Sequence, residues 1–218
     1  MDLFFGTGNQ GKLRELRRLV EGLPIRVVTA ADLGRPLPEV VEDGETFAAN
    51  AAKKAAAFAR FAGLPALADD SGLCVDALGG EPGVRSARWS EAEAPGLSGT
   101  ARDLANNEKL VRRLAGEPKD RRGAAYVAVL AVAAPDGRIL ASVEGRCAGR
   151  IGREPRGTGG FGYDPYFVPA GRALTMAELP PEEKDALSHR GQAFRALRPA
   201  LARLAAGIGA LDEGEGTG

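Results

Sequence analysis

Two apolar runs, residues 124–133 and 138–143, flank Pro135-Asp136-Gly137. Pro, Asp and Gly between strand-forming runs signal a tight turn, so this stretch predicts an antiparallel hairpin. The beginning of the chain reads differently. Apolar residues 2–6 end in Gly6, and Leu13, Leu16, Leu19 and Val20 then recur at helical spacing, giving strand, loop, helix. A chain with both features builds a mixed rather than a purely parallel sheet, and its class is α/β. Between these ends the pattern predicts a strand over 25–28 and an Ala-rich helix over 46–62 carrying Phe47, Ala51, Phe58 and Ala62. A strand follows over 66–68, after Pro65. Residues 79–100, rich in Gly, Pro and Ser, predict a long excursion before a helix over 102–114, and a last helix over 191–204 follows Ser188. There is no internal repeat. Residues 212–218 contain too little apolar surface to order themselves, so a single domain over 1–210 with a flexible tail over 211–218 is expected.

Composition narrows the function classes. With 218 residues, 44% of them hydrophobic, the chain can bury a sizeable core. Lys plus Arg equals Asp plus Glu at 29 each, which gives no basic excess for indiscriminate nucleic-acid binding. The N-terminus lacks a basic segment followed by an apolar run, and no stretch reaches the ~20 apolar residues of a membrane span. The expected address is cytoplasmic, with neither nucleic acid nor membrane as partner. Cys74 and Cys147 stand far apart and outside any C-x-x-C pair, which argues against a disulfide framework or zinc site and for buried small hydrophobes.

Four segments carry chemistry. Gly6-Thr7-Gly8-Asn9-Gln10-Gly11-Lys12 lies between the first strand and first helix, where loop amides and a lysine suit a phosphate. It nearly matches the P-loop pattern, but Leu13 stands where a hydroxyl must reach magnesium. The same residues also suit a plain glycine turn with Asn9 as helix cap. Ala68-Asp69-Asp70-Ser71-Gly72 is expected at a strand end, and its adjacent carboxylates suit a hard cation and an activated water. Its alternative is an exposed Asx turn. Glu42-Asp43, in the loop before the Ala-rich helix, is a further source of oxygen ligands.

Gly157-Thr158-Gly159-Gly160-Phe161-Gly162-Tyr163-Asp164-Pro165 satisfies G-x-G-x-x-G, yet Pro155 and Pro165 flank it and no helix opens after the glycines, so a dinucleotide fingerprint is excluded. Phe161 and Tyr163 for stacking and Asp164 as acceptor suit a nucleobase; anchoring aromatics in an ordinary loop would read the same. Lys184 with Ser188-His189-Arg190 precedes the last helix, with Ser188 a good cap and three donors beside the helix end. Solvated basic residues after a cap are the alternative. His189 is the only histidine, and its adjacency to Ser188 argues against a Ser-His-Asp triad.

Taken in order, these segments resemble the inosine triphosphate pyrophosphatase family, the non-canonical purine NTP pyrophosphatases, over nearly the whole chain. The matching pieces are Thr7-x-Asn9-x-x-Lys12, Gly44-x-Thr46-Phe47-x-x-Asn50-Ala51-x-x-Lys54-Ala55, Ala68-Asp69-Asp70-Ser71-Gly72-Leu73, Pro82-Gly83-x-x-Ser86-Ala87-Arg88, residues 157–165 and Ser188-His189-Arg190-Gly191. Their order and spacing make the combined signal specific. The resemblance implies a homodimer with an elongated mixed sheet flanked by helices, and two lobes enclosing a nucleotide cleft. It implies Mg2+ on Glu42 and Asp70, with Asp70 also accepting the proton of the attacking water. It places Thr7, Gly8, Asn9, Gln10, Gly11, Lys12 and Lys54 on the triphosphate, with Ser71 also on substrate. Phe161, Gly162, Tyr163, Asp164, Lys184, His189 and Arg190 are placed on the base and its sugar side. Ala49 stands where members often carry an acidic residue.

The activity so implied is hydrolysis of ITP, dITP and XTP between the α and β phosphates. The sequence leaves open a P-loop-like NTPase releasing orthophosphate, a non-catalytic nucleotide sensor, and a Maf-type pyrophosphatase with pyrimidine preference.

Overall fold

The structure, a computed structural model, describes residues 1–207; the tail expected to be flexible, 211–218, lies outside the described residues. One six-stranded sheet organises the molecule. Its strands are β1 (Asp2–Phe5), β2 (Arg26–Val28), β3 (Ala66–Val75), β4 (Gly123–Ala133), β5 (Ile139–Ile151) and β6 (Phe167–Pro169), in the order β2-β1-β3-β4-β5-β6. β1 pairs parallel with β2 and β3, and all later pairings are antiparallel, so the sheet is mixed as expected. The Pro135-Asp136-Gly137 hairpin closes with Gly137 at φ 92° and its N–H on the Ala134 carbonyl at 2.8 Å.

Among the described residues the α-helices are α1 (Gln10–Leu19), α2 (Phe47–Ala62), α3 (Gly99–Arg113), α4 (Pro181–Leu187) and α5 (His189–Ala205). Each of the three that frame the site begins on a polar cap. Asn9 accepts from the Gly11 and Lys12 amides, Thr46 from Ala49, and Ser188 from Gly191, satisfying donors the helix leaves open. Gly63, left-handed at φ 65°, ends α2.

Strand alternation then divides the core. Leu3, Phe5, Leu67, Leu130 and Val132 face α1 and α5 and bury Leu13, Leu16, Phe194 and Leu197. Phe4, Ala66, Ala68, Val129 and Ala131 face α2 and bury Ala51, Ala55 and Phe58. A third cluster, with Leu73, Leu110, Tyr126, Tyr163 and Phe167, fills the far end of the sheet. Among the described residues no helix is long and apolar enough to cross a membrane.

Several elements depart from expectation. β3 runs on to Val75, so Asp69 to Gly72 lie inside a strand and not at its end; ten-residue pairing with β4 outweighs the low strand preference of Asp and Gly. β5 likewise continues to Ile151, and α5 begins at His189 and not at Gly191. α4, β6 and the 3-10 helix Gly83–Arg88 carry no clear periodicity in the sequence. Cys147 is buried whereas Cys74 is half-buried, and both thiols are free.

Candidate active site

β3 carries its two carboxylates to opposite faces of the sheet. Adjacent residues on a strand must point apart, so Asp69 and Asp70 do not form the joint pair that their adjacency suggests. Asp70 faces α2, where its Oδ1 accepts from Lys54 Nζ at 2.9 Å and its Oδ2 from Asn50 Nδ2 at 3.2 Å. Lys54 Nζ also stands 3.2 Å from Glu42 Oε1, so the loop before α2 and the middle of β3 meet at one ammonium. Asn50 fastens that loop, accepting from the Gly44 N–H at 2.8 Å and donating to the Gly44 carbonyl at 3.3 Å. Arg88 holds it from the other side, donating to the Glu42 carbonyl at 2.8 Å. Asp43 turns away to Lys53.

Burial, with the negative charge of Glu42 adding to it, pushes the Asp70 carboxyl above its ordinary range even though Lys54 and Asn50 oppose the shift. A carboxylate so placed is a stronger base than usual. Lys54 pairs with both carboxylates, and Arg88 adds a looser pairing to Glu42 at 3.9 Å. Glu42 and Asp70 offer hard oxygen donors only, which fits a divalent cation that completes its shell with phosphate and water.

Asp69 faces α1 and α5. Lys12 Nζ lies 2.9 Å from its Oδ2 and Arg190 Nε 3.3 Å. Burial alone would raise this carboxyl, but Lys12, Arg190 and Lys54 outweigh it and hold Asp69 well below the carboxylate range. Lys54, on the opposite face of the sheet, is thus felt across β3. Arg190 also donates to Glu15 and to Ser71 Oγ, the latter at 3.0 Å. Lys184 lies 2.7 Å from Asp164 and 3.7 Å from Glu15. The donor edge expected of Lys184 and Arg190 is therefore already paired to carboxylates, in a network running from Asp69 to Asp164.

Beside this network lies a cavity of about 290 Å³. Of the residues singled out in the sequence, Asn9, Lys12, Ser71, Phe161, Gly162, Tyr163, Asp164, Lys184, His189 and Arg190 line it. Thr7 and Gly8 belong to the adjoining loop and Gln10 and Gly11 to the first turn of α1, none of them to the wall, and Glu42, Lys54 and Asp70 stand apart on the α2 side. Lys184 and Arg190 sit over the Phe161 ring, 5.4 and 5.6 Å from its centre. Tyr163 is less free than a stacking platform should be, because it is buried with its hydroxyl donating to the Ser86 carbonyl at 2.8 Å.

His189 is stacked on Tyr126, centroids 4.7 Å apart at 12°, and its Nδ1 is buried without a hydrogen-bond partner. Burial first, then the charge of Arg190, depresses its pKa well below the usual histidine value, so the ring is neutral. A buried, unpaired nitrogen in a cavity wall costs stability unless a ligand or water meets it. Tyr126 in turn donates to Asp164 Oδ1 at 3.1 Å. The backbone makes these approaches possible at two glycines. A Cβ on Gly145 would lie 2.1 Å from the His189 carbonyl, and one on Gly160 would lie 2.1 Å from Asp164 Oδ2.

Glu15, Asn50, Arg88 and Tyr126 received no site role from the sequence. The first two had a signal: Glu15 stands three residues after Lys12 on α1, and Asn50 four before Lys54 on α2, spacings that share a helix face. Tyr126 shows only as the one hydroxyl in an otherwise aliphatic strand.

The molecule is thus an α/β protein with a mixed sheet, a carboxylate pair on one lysine and, on the other side of β3, an aromatic-walled, charge-lined cavity. The chain belongs to the Ham1 family, whose model matches residues 3–200, and which is the inosine triphosphate pyrophosphatase family that the motifs resemble. It is 60% identical to a dITP/XTP pyrophosphatase of Anaeromyxobacter dehalogenans, the match covering 95% of this chain and 100% of that protein. It is 48% identical to the dITP/XTP pyrophosphatase of Geobacter sulfurreducens, covering 91% and 96%. Among solved structures it is similar to a HAM1 protein from Coxiella burnetii, with a TM-score of 0.80 and 36% identity over 93% of this chain and 99% of that one. A nucleoside-triphosphatase / dITP/XTP pyrophosphatase from Mycobacterium abscessus matches with a TM-score of 0.70 and 46% identity, covering 91% and 100%.

Proposed function

We propose that the chain is a nucleoside triphosphate pyrophosphatase that hydrolyses the non-canonical purine nucleotides dITP, ITP and XTP to the monophosphate and pyrophosphate. The observation that carries this reading is the meeting of Glu42, Lys54 and Asp70 on one face of β3 while the other face leads to the His189 cavity. The base would enter the cavity between Phe161 and the His189–Tyr126 stack. A 6-oxo purine offers an acceptor where adenine offers a donor, and N–H groups of Lys184 and Arg190 beyond those paired to carboxylates would favour the acceptor. Thr7, Asn9, Lys12 and Lys54 would hold the phosphates, with Gly8, Gln10 and Gly11 shaping the loop around them.

Glu42 and Asp70 would hold Mg2+, which when bound neutralises phosphate charge and polarises the scissile phosphorus. Asp70, its basicity raised by burial, would take the proton from a water aimed at the α phosphorus. Lys54 and Lys12 would offset charge developing on the pyrophosphate leaving group. Residues 1–210 would act as one domain of two lobes, working as a homodimer in the cytoplasm, with neither nucleic acid nor membrane as partner.

A panel of dITP, ITP, XTP, ATP, GTP and a pyrimidine triphosphate, scored for both pyrophosphate and orthophosphate, tests the reading. Pyrophosphate from the three non-canonical purines, with ATP turned over far more slowly, is expected. Orthophosphate as first product, pyrimidine preference, or tight binding without turnover in magnesium would each overturn it.

A further inference from the structure

One helix grips both backbone polar groups of a single residue in the cavity wall, the N–H and the carbonyl of Gly162. The Gly162 N–H donates to Asp103 Oδ2 at 2.9 Å, and the Gly162 carbonyl accepts from Asn107 Nδ2 at 2.9 Å. Asp103 and Asn107 are four residues apart on α3, so they share one face of the helix, one turn apart. The residue they grip is the hinge of the aromatic loop: Gly162 sits at φ +61° between Phe161 and Tyr163. Left-handed backbone in a glycine is inherently permissive; Asp164 holds the Phe161 side of it by accepting from the Phe161 N–H at 3.0 Å, and α3 holds the glycine itself.

Asn107 serves this contact at a cost. Its Oδ1 is buried with no hydrogen-bond partner, so α3 tolerates an unsatisfied acceptor in order to place one donor on Gly162. Asp103 also sits in a costly place, half-buried and facing the charge of Asp164, both of which raise its pKa. Among the described residues neither side chain has a hydrogen bond or ion pair to Glu42, Lys54 or Asp70, so the grip acts on the cavity and not on the carboxylate pair.

We propose that Asp103 and Asn107 are positioning residues for base recognition: from α3 they clasp Gly162 and thereby fix Phe161 and Tyr163 against the cavity. This rests on the cavity being the base site. α3 comes from the helix that follows the Gly- and Pro-rich excursion, so the clasp ties that part of the chain to the specificity of the site.

The test compares dITP with a base-free ribose 5-triphosphate on the parent enzyme and on D103A, D103N and N107A, with thermal unfolding measured alongside. D103A and N107A should raise KM for dITP by about 10-fold or more, the effect of losing one buried hydrogen bond, with kcat changed by less than about 3-fold. D103N keeps an oxygen acceptor for the Gly162 N–H and should restore the parent KM, and turnover of the base-free substrate should not respond. Equal losses on both substrates, or a lowered melting temperature with KM unchanged, would overturn the clasp. N107A, which removes one donor from an exposed-to-core helix face, carries the same test should D103A fail to fold. If the parent itself turns over the base-free substrate as well as dITP, the base-site reading falls and the clasp with it. If the parent discriminates and D103A does not change KM, only the clasp falls.

Discussion

Asp70 draws its chemistry from three neighbours, since Lys54 and Asn50 bind its oxygens and Glu42 shares the ammonium. Replacing it with Asn removes a cation ligand and the proton acceptor together, and kcat should fall on the order of 10² or more with the fold retained. Glu42→Gln should instead raise the magnesium requirement, with activity partly restored at high magnesium. Near-parental kcat in Asp70→Asn would show that the water is activated elsewhere. His189 supports a second expectation. Its folded pKa is depressed, so the unfolded chain takes up a proton near pH 6.5 that the folded one refuses. Its contribution is complete above that pH and is lost as pH falls below it, at a slope of at most about 1.4 kcal/mol per pH unit. Urea unfolding at pH 7.5, 6.0 and 5.0 should show this decline, and His189→Phe, lacking the only histidine, should flatten it; an unchanged slope would mean the ring is protonated in the fold. Residue identities at this site were legible because Asp, Lys and His are conspicuous in a loop or strand. Their pairing was not: that Arg190 and Lys184 are spent on Glu15, Asp69 and Asp164 depends on contacts between residues up to 175 positions apart.

Helix α5 reaches the sheet at Gly145 of β5, where a Cβ would lie 2.1 Å from the His189 carbonyl and 2.4 Å from the Ala193 amide. Backbone atoms cannot yield as a flexible side chain can, so Gly145→Ala must lift the first turn of α5 off the sheet. A loss of about 1–3 kcal/mol is expected from such overpacking. KM for dITP should rise as well, since His189 and Arg190 ride on that turn; parental stability and KM would contradict this packing argument. Most elements were readable from periodicity and caps, as with Asn9 before α1 and Ser188 before α5. β3 was misjudged because Asp69-Asp70-Ser71-Gly72 has the local chemistry of a turn, and what makes it strand is its register against Val127 to Leu130 of β4, which no local window contains.

Across the whole molecule, a single mixed sheet lets one strand serve two sites. Asp70 joins Glu42 at Lys54 on one face, and Asp69 and Ser71 join the network beside the cavity on the other; on the proposed reading the polyphosphate end of the ligand reaches past β3 toward the first while its aromatic end fills the second. The hairpin turn and the N-terminal strand-loop-helix already implied that mixed sheet; the division of labour across β3 required the strand itself. On the proposed reading, water attacks the α phosphorus and the β and γ phosphates depart together. Hydrolysis of dITP in ¹⁸O-labelled water, with both products analysed by mass spectrometry, tests this most directly. Label in the nucleoside monophosphate, with unlabelled pyrophosphate, is expected; label in pyrophosphate, or orthophosphate beside dIDP, would contradict attack at the α phosphorus.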